Sequence, residues 1–389
     1  MKNCTPDSES GLSQNYTMPR KKSNPGSTEG APASGANLKA LAEHLGLSQG
    51  TVSLVVNRSP SAASIPPETQ ARILQAAKQL NYRANFFARS LRSRRSFTIG
   101  ILHPDLSDYV ALVMSGIEEQ LLQQNYFYFA AGHRNQRELI EEYPRLMIER
   151  SVEGILAIDT LLKHTFPVPV VTVSGHQKIT GVTNVVLDHR RAAELALGHL
   201  VEMGHRDIAF VKGPKISSDT EHRWSSICEV AQTLDIEMKP ALCVEMESSP
   251  TYPDVGYPVA QQLLARQQRF TALFAYNDVA AIGAIRALFD AGLRVPEDVA
   301  VIGFDDIPSA AFHNPSLTTV RQPLRRMGEI AARTLLEKLD AKHPPSEEVS
   351  QEAPEEISVA PELVVRESTT SRRIPSKPGD EAAALTTSR

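Results

Sequence analysis

The pattern of apolar and polar residues divides the chain into two unlike regions. Between residues 37 and 96, apolar residues recur at helical spacing in short segments that are interrupted by Gly46 and by a loop from Asn57 to Ile65. Ser48 is a favourable N-cap for the second helix, and Pro67 is a favourable first residue for the third. This region is therefore predicted to be a small helical domain.

From Phe97 onward, near-continuous apolar runs alternate with amphipathic helices. The predicted strands are Thr98–Leu102, Tyr126–Ala131, Gly154–Ile158, Val168–Val173, Ile208–Lys212, Ala272–Tyr276 and Val299–Phe304. Predicted helices between them include Ala192–Met203 and Val279–Ala291. Apolar strands that alternate with helices indicate parallel sheets covered on both faces. Because about 270 residues are too many for one sheet with one core, two lobes are expected, with a ligand cleft beyond the carboxyl ends of the strands.

Charge is distributed unevenly between these regions. Residues 37–96 contain nine Lys and Arg against two Glu, a net charge of +7, whereas residues 97–370 contain 24 basic and 38 acidic residues, a net charge of −14. A basic segment joined to an acidic body is typical of a protein in which one part binds a polyanion. A chance cluster of surface charges is the alternative explanation.

The composition excludes several classes of protein. Hydrophobic residues make up 41% and charged residues 22% of the chain, as in ordinary soluble domains. No run approaches the roughly 20 apolar residues that span a membrane, and residues 1–36 lack the apolar core of a secretory signal. Cys4, Cys228 and Cys243 lack metal-type spacing. We expect a cytoplasmic protein without a membrane partner, metal or cofactor.

No set of residues indicates an enzyme. A nucleophile with its base, a carboxylate pair or a metal triad is not apparent, and His199 and His205 lack a third ligand. The acidic run Gly303–Asp306 is not accompanied by a GxSxG elbow, a phosphate-binding loop or a GxGxxG motif.

The helical region has the order of helix, tight turn and helix that places a second helix in the DNA major groove. In the segment Ser48–Asn57, Val52, Val55 and Val56 form the inward stripe. The expected open face carries Gln49, Gly50, Ser53 and Leu54, flanked by Thr51 and Asn57. Gln can pair with adenine, and Ser or Thr can bind phosphate. A helical hairpin with solvated polar residues is the alternative.

Two stretches strongly resemble the lactose-repressor (LacI/GalR) family of transcriptional regulators. Residues 37–57 resemble the DNA-binding head of that family, and residues 80–92 resemble its hinge helix. Further matching motifs are Gly204–Ala209, Asn277–Asp278, Gly303–Asp306, Leu317–Pro323 and Glu362–Thr369. Because several independent motifs occur in the family's order, the chain is identified as a member over roughly residues 37–370.

The resemblance implies an α/β protein with an N-terminal all-α helix-turn-helix head and a two-lobed periplasmic-binding-protein-like domain built on parallel sheets. The segments it implies are a disordered extension at 1–36, the DNA-binding domain at 37–83, a hinge helix and linker at 84–96, an effector-binding and dimerisation domain at 97–370 and a disordered tail at 371–389.

The resemblance also implies which residues bind DNA. Backbone contacts are expected from Ser48, Thr51, Ser53 and Asn57, base contacts from Gln49, Gly50 and Leu54, and hinge contacts from Asn85, Ala88 and Leu91. Leu54 stands where many members have a base-reading Arg, and Gly50 offers no side chain. Leu91 matches the leucine that family members wedge into the minor groove. Packing of Phe87 and Leu91 on the body is the alternative.

By the same resemblance, the cleft residues are Asp108, Tyr109, Ser174, Arg223, Asn277, Asp305 and Gln322. Arg and Asp on opposite walls can share hydrogen bonds to the hydroxyls of a polyol, which favours a sugar over a purine as the effector. As alternatives, Asp305 caps the segment that follows it, Asn277 or Asp278 caps the helix that begins near Val279, and Tyr109 belongs to the core. Asp188 is expected to be an N-cap, and Trp224 is expected near the cleft.

These expectations combine into one function. The chain is predicted to be a sequence-specific transcriptional regulator, a repressor, whose affinity for double-stranded operator DNA is controlled by a small molecule held between the lobes. A homodimer is expected, because the tail lacks the leucine heptads of a tail-joined tetramer. The alternative is a cytoplasmic binding protein for a sugar or purine that has no operator specificity.

Overall fold

The computed structural model describes residues 37–57, 59–82, 95–247, 255–341 and 355–370. They belong to two compact units, a head before residue 93 and a body after it. The hinge predictions at Asn85, Ala88 and Leu91 lie outside the described residues. Within the described ranges, no helix is both long and apolar enough to cross a membrane.

The head is built from helices α1 (Leu38–Leu45), α2 (Gln49–Val56) and α3 (Pro67–Gln79), with a 3-10 helix at Pro60–Ser64 between the last two. Gly46 ends α1 in the left-handed region at φ 65°, which glycine adopts without strain. The three helices enclose one small core of Leu41, Ala42, Val52, Val55, Ala62, Ile73 and Ala76. The predicted helix-turn-helix order is therefore confirmed.

Lobe 1 of the body contains a sheet in the order β11-β5-β4-β3-β1-β2, with every neighbouring pair parallel. Its strands are β1 (Thr98–His103), β2 (Phe127–Gly132), β3 (Gly154–Ile158), β4 (Val170–Val173), β5 (Val182–Leu187) and β11 (Glu356–Val359). Its helices are α4 (Asp108–Gln123), α5 (Arg137–Glu149) and α11 (Leu324–Ala341). Helices cover both faces, so each face of the sheet has its own apolar cluster.

Lobe 2 contains a sheet in the order β12-β10-β9-β8-β6-β7, in which only the edge strand β12 is antiparallel among the described pairs. Its strands are β6 (Ile208–Lys212), β7 (Cys243–Glu245), β8 (Ala272–Phe274), β9 (Ala300–Asp305), β10 (Thr318–Arg321) and β12 (Glu362–Val364). Its helices are α6 (His189–Glu202), α7 (Thr220–Thr233), α8 (Gly256–Ala265), α9 (Asp278–Asp290) and α10 (Pro308–Phe312). The predicted two-lobed parallel architecture is confirmed.

The described chain passes between the lobes after β5, after β10 and between β11 and β12. Each lobe is thus assembled from separate parts of the sequence. The carboxyl ends of the parallel strands in both sheets point to the region between the lobes, which is where such folds bind ligands.

Candidate functional site

A cavity that is open to solvent lies between the two lobes. Five of the seven residues expected to bind an effector line it: Asp108, Tyr109, Arg223, Asn277 and Asp305. Ser174 and Gln322 support two of these residues. Tyr109 Oη lies 2.7 Å from Ser174 Oγ, and Gln322 Nε2 donates to Asp305 Oδ1 at 2.6 Å. The structure therefore brings the expected residues together, while their roles remain predictions.

Arg223 is the buried cation of the cavity. Its Nη1 donates to the Tyr276 carbonyl oxygen at 2.7 Å, and its Nη2 donates to Asp219 Oδ2. Its guanidinium carbon lies 3.9 Å from the centre of the Phe304 ring. Burial alone lowers the pKa of Arg223, but the charge of Asp219 outweighs burial and raises that pKa, so the guanidinium stays charged. Arg223 Nε has no hydrogen-bond partner among the described residues.

Asp305 is a buried acid of the cavity whose pKa is subject to opposing influences. Burial raises its pKa to about 7, against the opposing effects of the Arg223 charge and the Gln322 hydrogen bond. Gln322 Oε1, like Arg223 Nε, is buried without a hydrogen-bond partner in the described structure. A buried donor and a buried acceptor thus remain unused beside a carboxyl group that changes charge near neutral pH.

The backbone is strained where several strands meet the cavity. Asp159 follows β3 at φ 40°, Ser174 follows β4 at φ 57°, and Asp305 ends β9 at φ 109°. Residues other than glycine rarely adopt these conformations, and they cluster at functional sites when they occur. Two of these strained residues, Asp159 and Asp305, line the cavity.

Asp159 connects the two lobes. Its Oδ1 accepts hydrogen bonds from Ser217 Oγ at 3.0 Å, from the Ser218 backbone N–H at 2.8 Å and from Ser218 Oγ at 2.7 Å. Burial raises the pKa of Asp159, although the Ser218 hydroxyl partly offsets this by donating to the carboxylate. These contacts hold the carboxyl end of β3 against the loop before α7.

Two capping expectations are met in the body. Asp188 Oδ1 accepts from the Arg191 backbone N–H at 2.9 Å and caps α6. Asn277 Oδ1 accepts from the Ala280 backbone N–H at 2.9 Å and caps α9, while Asn277 also lines the cavity. The capping alternative for Asn277 is therefore correct and is compatible with a place in the cleft.

In the head, the start of α2 presents its expected polar groups. Ser48 Oγ accepts from the Thr51 backbone N–H at 3.1 Å and lies 2.9 Å from Thr51 Oγ1, so Ser48 is the predicted N-cap. Gln49 and Gly50 are exposed. This end of the helix is therefore open to a partner.

The expectation that Ser53 and Leu54 lie on the same open face is wrong. Ser53 is buried, and Asn57 Nδ2 donates to its carbonyl oxygen at 2.9 Å and to its Oγ at 3.1 Å. Leu54 is half-buried and packs against the head core. Because α2 packs against both α1 and α3, its buried arc is wider than the stripe of valines suggests. The open face narrows to the first turn of α2.

The comparisons with known proteins agree with this architecture. A model of the periplasmic binding protein-like domain matches residues 197–369. The HTH-type transcriptional repressor PurR of Haemophilus influenzae strain PittEE is 32% identical over 343 residues, which cover 86% of this chain and 98% of that protein. The chain belongs to the LacI/GalR family.

Solved structures extend the likeness of this LacI/GalR regulator. The lac repressor bound to ONPG in its repressed state superposes with a TM-score of 0.74 at 23% identity, covering 86% of this chain and all of that one. The transcriptional regulator CelR in complex with cellobiose has a TM-score of 0.62 at 26% identity, covering 85% and 99% of the two chains. The regulator is thus a DNA-binding transcription factor with a helix-turn-helix head and a periplasmic-binding-protein-like body.

Nine residues that line the cavity of the LacI/GalR regulator were not predicted from the sequence, among them Asp159, Ser217, Asp219 and Tyr276. Asp159 directly follows a correctly predicted strand, and Tyr276 ends another, so the rule that ligands bind at the carboxyl ends of strands could have indicated both. Asp219 lies one helical turn before Arg223, a spacing at which opposite charges pair. Trp224 packs edge-on against Phe210 and does not line the cavity.

One group of possible metal ligands was also not predicted from the sequence. His176, His189 and Asp219 place three donor atoms within 4.8 Å of one another. Burial alone raises the pKa of Asp219, but His189 and Arg223 hold that pKa well below its ordinary value, so the carboxylate is ionised. Because these residues come from separate loops and helix ends, no spacing along the sequence indicates the group.

Proposed function

We propose that the protein is a repressor whose affinity for operator DNA is controlled by a sugar bound between the lobes of its body. The observation that carries the proposal is that a buried cation and a buried acid, Arg223 with its unpaired Nε and Asp305, line one cavity between the lobes. Leaving buried donors and acceptors unpaired costs free energy, so a ligand that pairs them binds favourably. A ligand with donors and acceptors on adjacent atoms is required.

A sugar fits this requirement better than a purine does. Each hydroxyl both donates and accepts, so adjacent hydroxyls can donate to a carboxylate and accept from a guanidinium. The cavity presents Asp108, Asp159 and Asp305 as acceptors. A flat base would stack on the Tyr276 ring, but one face of that ring is already covered by Arg223, whose guanidinium carbon lies 4.7 Å from the ring centre. CelR was solved with cellobiose, a further reason to test sugars first.

DNA recognition is assigned to the first turn of α2 and to the hinge. Ser48 and Thr51, at the N-terminus of α2, are proposed to contact a phosphate, and the exposed side chain of Gln49 is proposed to pair with a base. Ser53 now has a supporting role, because it holds Asn57. The contacts assigned to Gly50, Leu54, Asn85, Ala88 and Leu91 rest on the resemblance alone.

A homodimer fits both the DNA and the surface of lobe 1. Two heads on one dimer would bind the half-sites of a pseudo-palindrome. On lobe 1, the edge strand β2 exposes Phe127 and Phe129, and Leu122 is exposed on the preceding helix. Contiguous exposed apolar side chains are typical of an interface. Effector binding between the lobes and operator binding by the dimer are then coupled reciprocally.

The test has two steps that use the full chain. A thermal-shift screen of sugars and purine bases identifies the effector, and selection from genomic fragments at fixed salt identifies the operator. Gel shifts with and without the effector then measure their coupling. We expect a sugar to raise the melting temperature and to change operator affinity. A protein that prefers no promoter fragment over random duplex, with any compound of the screen, would contradict the proposal.

Asp305→Asn provides the matched control. It keeps the size of the side chain and its acceptor for Gln322, but it removes the charge that is proposed to hold a hydroxyl. We expect the variant to bind the operator normally and to lose its response to the sugar. A purine hit whose response survives in Asp305→Asn would instead support the purine alternative.

A further inference from the structure

Two histidines and an aspartate meet where the lobes touch, beside the cavity. Both imidazoles point to one carboxylate oxygen: His176 Nε2 lies 2.8 Å and His189 Nε2 lies 2.7 Å from Asp219 Oδ1. The side chains of all three residues are at most 6% exposed. We propose that this cluster binds a transition-metal ion, with Zn²⁺ the best fit, and that the ion ties the two lobes together.

The donor set suits zinc. Two imidazole nitrogens and one carboxylate oxygen are ligands that Zn²⁺ takes with bonds of about 2.0–2.2 Å, leaving a fourth position for water. In a tetrahedral site with such bonds the ligand atoms are roughly 3.3–3.5 Å apart. The three donors already lie within 4.8 Å of one another, and two of the separations need to widen by only about half an ångström. Mg²⁺, which prefers oxygen ligands, does not fit the same set.

The second oxygen of Asp219 is engaged separately. Oδ2 accepts from Arg223 Nη2, so Oδ1 is the oxygen that faces the two imidazoles. A metal on Oδ1 therefore leaves the Asp219–Arg223 pair in place. The buried arginine serves as an outer partner of the ligand carboxylate, an arrangement that orients the ligand.

The cluster has a short route to solvent. His222 is exposed on α7 and stacks on His176, with ring centres 4.0 Å apart and planes inclined by 16°. On this side a single imidazole separates the ligand group from water.

The three ligands come from both lobes, so a bound ion would connect the lobes. His176 follows β4 in lobe 1, whereas His189 begins α6 and Asp219 precedes α7 in lobe 2. A bound ion therefore favours the arrangement of the lobes in which all three meet. Because Asp219 also holds Arg223, the ion stabilises a side chain of the cavity, and its affinity is coupled to that of the effector. This coupling rests on the proposed function, but metal binding does not.

The experiment uses the full chain without an affinity tag, freed of metal by a chelator. Titration with Co²⁺, followed by visible absorption, reports nitrogen and oxygen coordination, and calorimetry with Zn²⁺ gives the stoichiometry. We expect one ion per chain, and no response to Mg²⁺. His164→Gln is the matched control, because His164 is exposed in lobe 1 and is not a member of the cluster. That variant should bind like the unchanged protein.

His176→Gln and His189→Gln should each weaken Zn²⁺ binding by at least about tenfold, with circular dichroism verifying that they are folded. Two variants are used so that one folded variant is sufficient for the test. The proposal is overturned if the unchanged protein binds neither Co²⁺ nor Zn²⁺, or if a folded cluster variant binds as tightly as His164→Gln. Neither result would bear on operator or effector binding, which are assayed without added metal.

Discussion

The first turn of α2 in the head and the cavity of the body satisfy their polar groups in different ways. At the start of α2, partners lie within one helical turn, as with Ser48 and Thr51. In the cavity, Arg223 bonds to the Tyr276 carbonyl, 53 residues away in the sequence, and it remains buried with an unused donor. Local pairs form with the helix itself, whereas distant pairs depend on the whole fold. Substitutions should therefore affect stability strongly in the cavity and weakly in the head.

The largest effect is expected for Arg223→Ala. The change removes the guanidinium partner of Asp219 and leaves this buried carboxylate with only its two imidazole contacts, which should lower the free energy of unfolding by about 3 kcal/mol. Urea denaturation can be followed by the fluorescence of Trp224, the only tryptophan of the chain, which lies in lobe 2. The response to the effector should be lost as well.

Arg294→Ala is the matched control for this prediction. Arg294 also pairs with an aspartate one turn away: its Nε lies 2.8 Å from Asp298 Oδ2. This pair, however, is exposed. Exposed pairs are screened by water, so no measurable change in the urea midpoint is expected. Equal midpoints for the two variants would show that burial does not set the cost and would break the comparison.

The next largest effect is a pH dependence of the free energy of unfolding that is due to Asp305. Asp305 titrates at about 7 in the folded protein against an ordinary value of 3.8, so the folded state binds this proton more tightly. Stability from this group is present at low pH and is lost as the pH rises from about 4 to about 7. Asp305→Asn carries no charge, and above pH 7 it should be more stable than the unchanged protein by roughly 2–4 kcal/mol.

Urea midpoints at pH 5 and pH 8 test this prediction. The difference in stability between Asp305→Asn and the unchanged protein should widen between the two values. A difference that stays constant would mean that the carboxyl titrates in its ordinary range. Asp298→Asn, at an exposed carboxylate whose pKa is lowered to about 2 by its hydrogen bonds to Arg294, is the control. It should add no pH dependence within this interval.

Sequence patterns predicted the fold well where apolar runs are long. All seven predicted strands are present, with ends shifted by no more than two residues. The five strands that were missed, β5, β7, β10, β11 and β12, include the edge strands β7, β11 and β12, two of which have only three residues. Short edge strands bury little apolar surface, so periodicity alone does not distinguish them from loops.

The candidate site was predictable only in part, for a related reason. The resemblance to the family indicated Arg223 and Asp305, whereas Asp159 was not predicted although it directly follows a predicted strand. The cluster of His176, His189 and Asp219 was not predictable from the sequence, because its members come together only when the chain passes between the lobes after β5. Likewise, the burial of Ser53 follows from packing on two helices at once, which one helical stripe does not show.

Gln49→Ala tests whether an exposed side chain of the head contributes to operator binding and not to stability. Gln49 is exposed, so its loss should change the free energy of unfolding by less than about 0.5 kcal/mol. If Gln49 pairs with a base, specific operator affinity should fall by about 1–3 kcal/mol, while binding to random duplex is unchanged. Gel shifts at one salt concentration measure both. Gln75→Ala, at an exposed glutamine of α3, is the control. An equal loss in both variants would argue against base recognition by α2.

The smallest effect is expected for Ser48→Ala, which removes the N-cap of α2. The lost hydrogen bond to the Thr51 N–H should destabilise the head by about 1 kcal/mol. Hydrogen exchange of α2 amides, followed by mass spectrometry in the full chain, should quicken about fivefold, while exchange in the body stays unchanged. Ser48→Asn, which keeps a capping acceptor, should restore slow exchange, and Ser61→Ala, in the exposed 3-10 helix, should have no effect. Unchanged exchange in Ser48→Ala would mean that pairing within one turn contributes nothing measurable, and the contrast between head and cavity would then rest on the cavity alone.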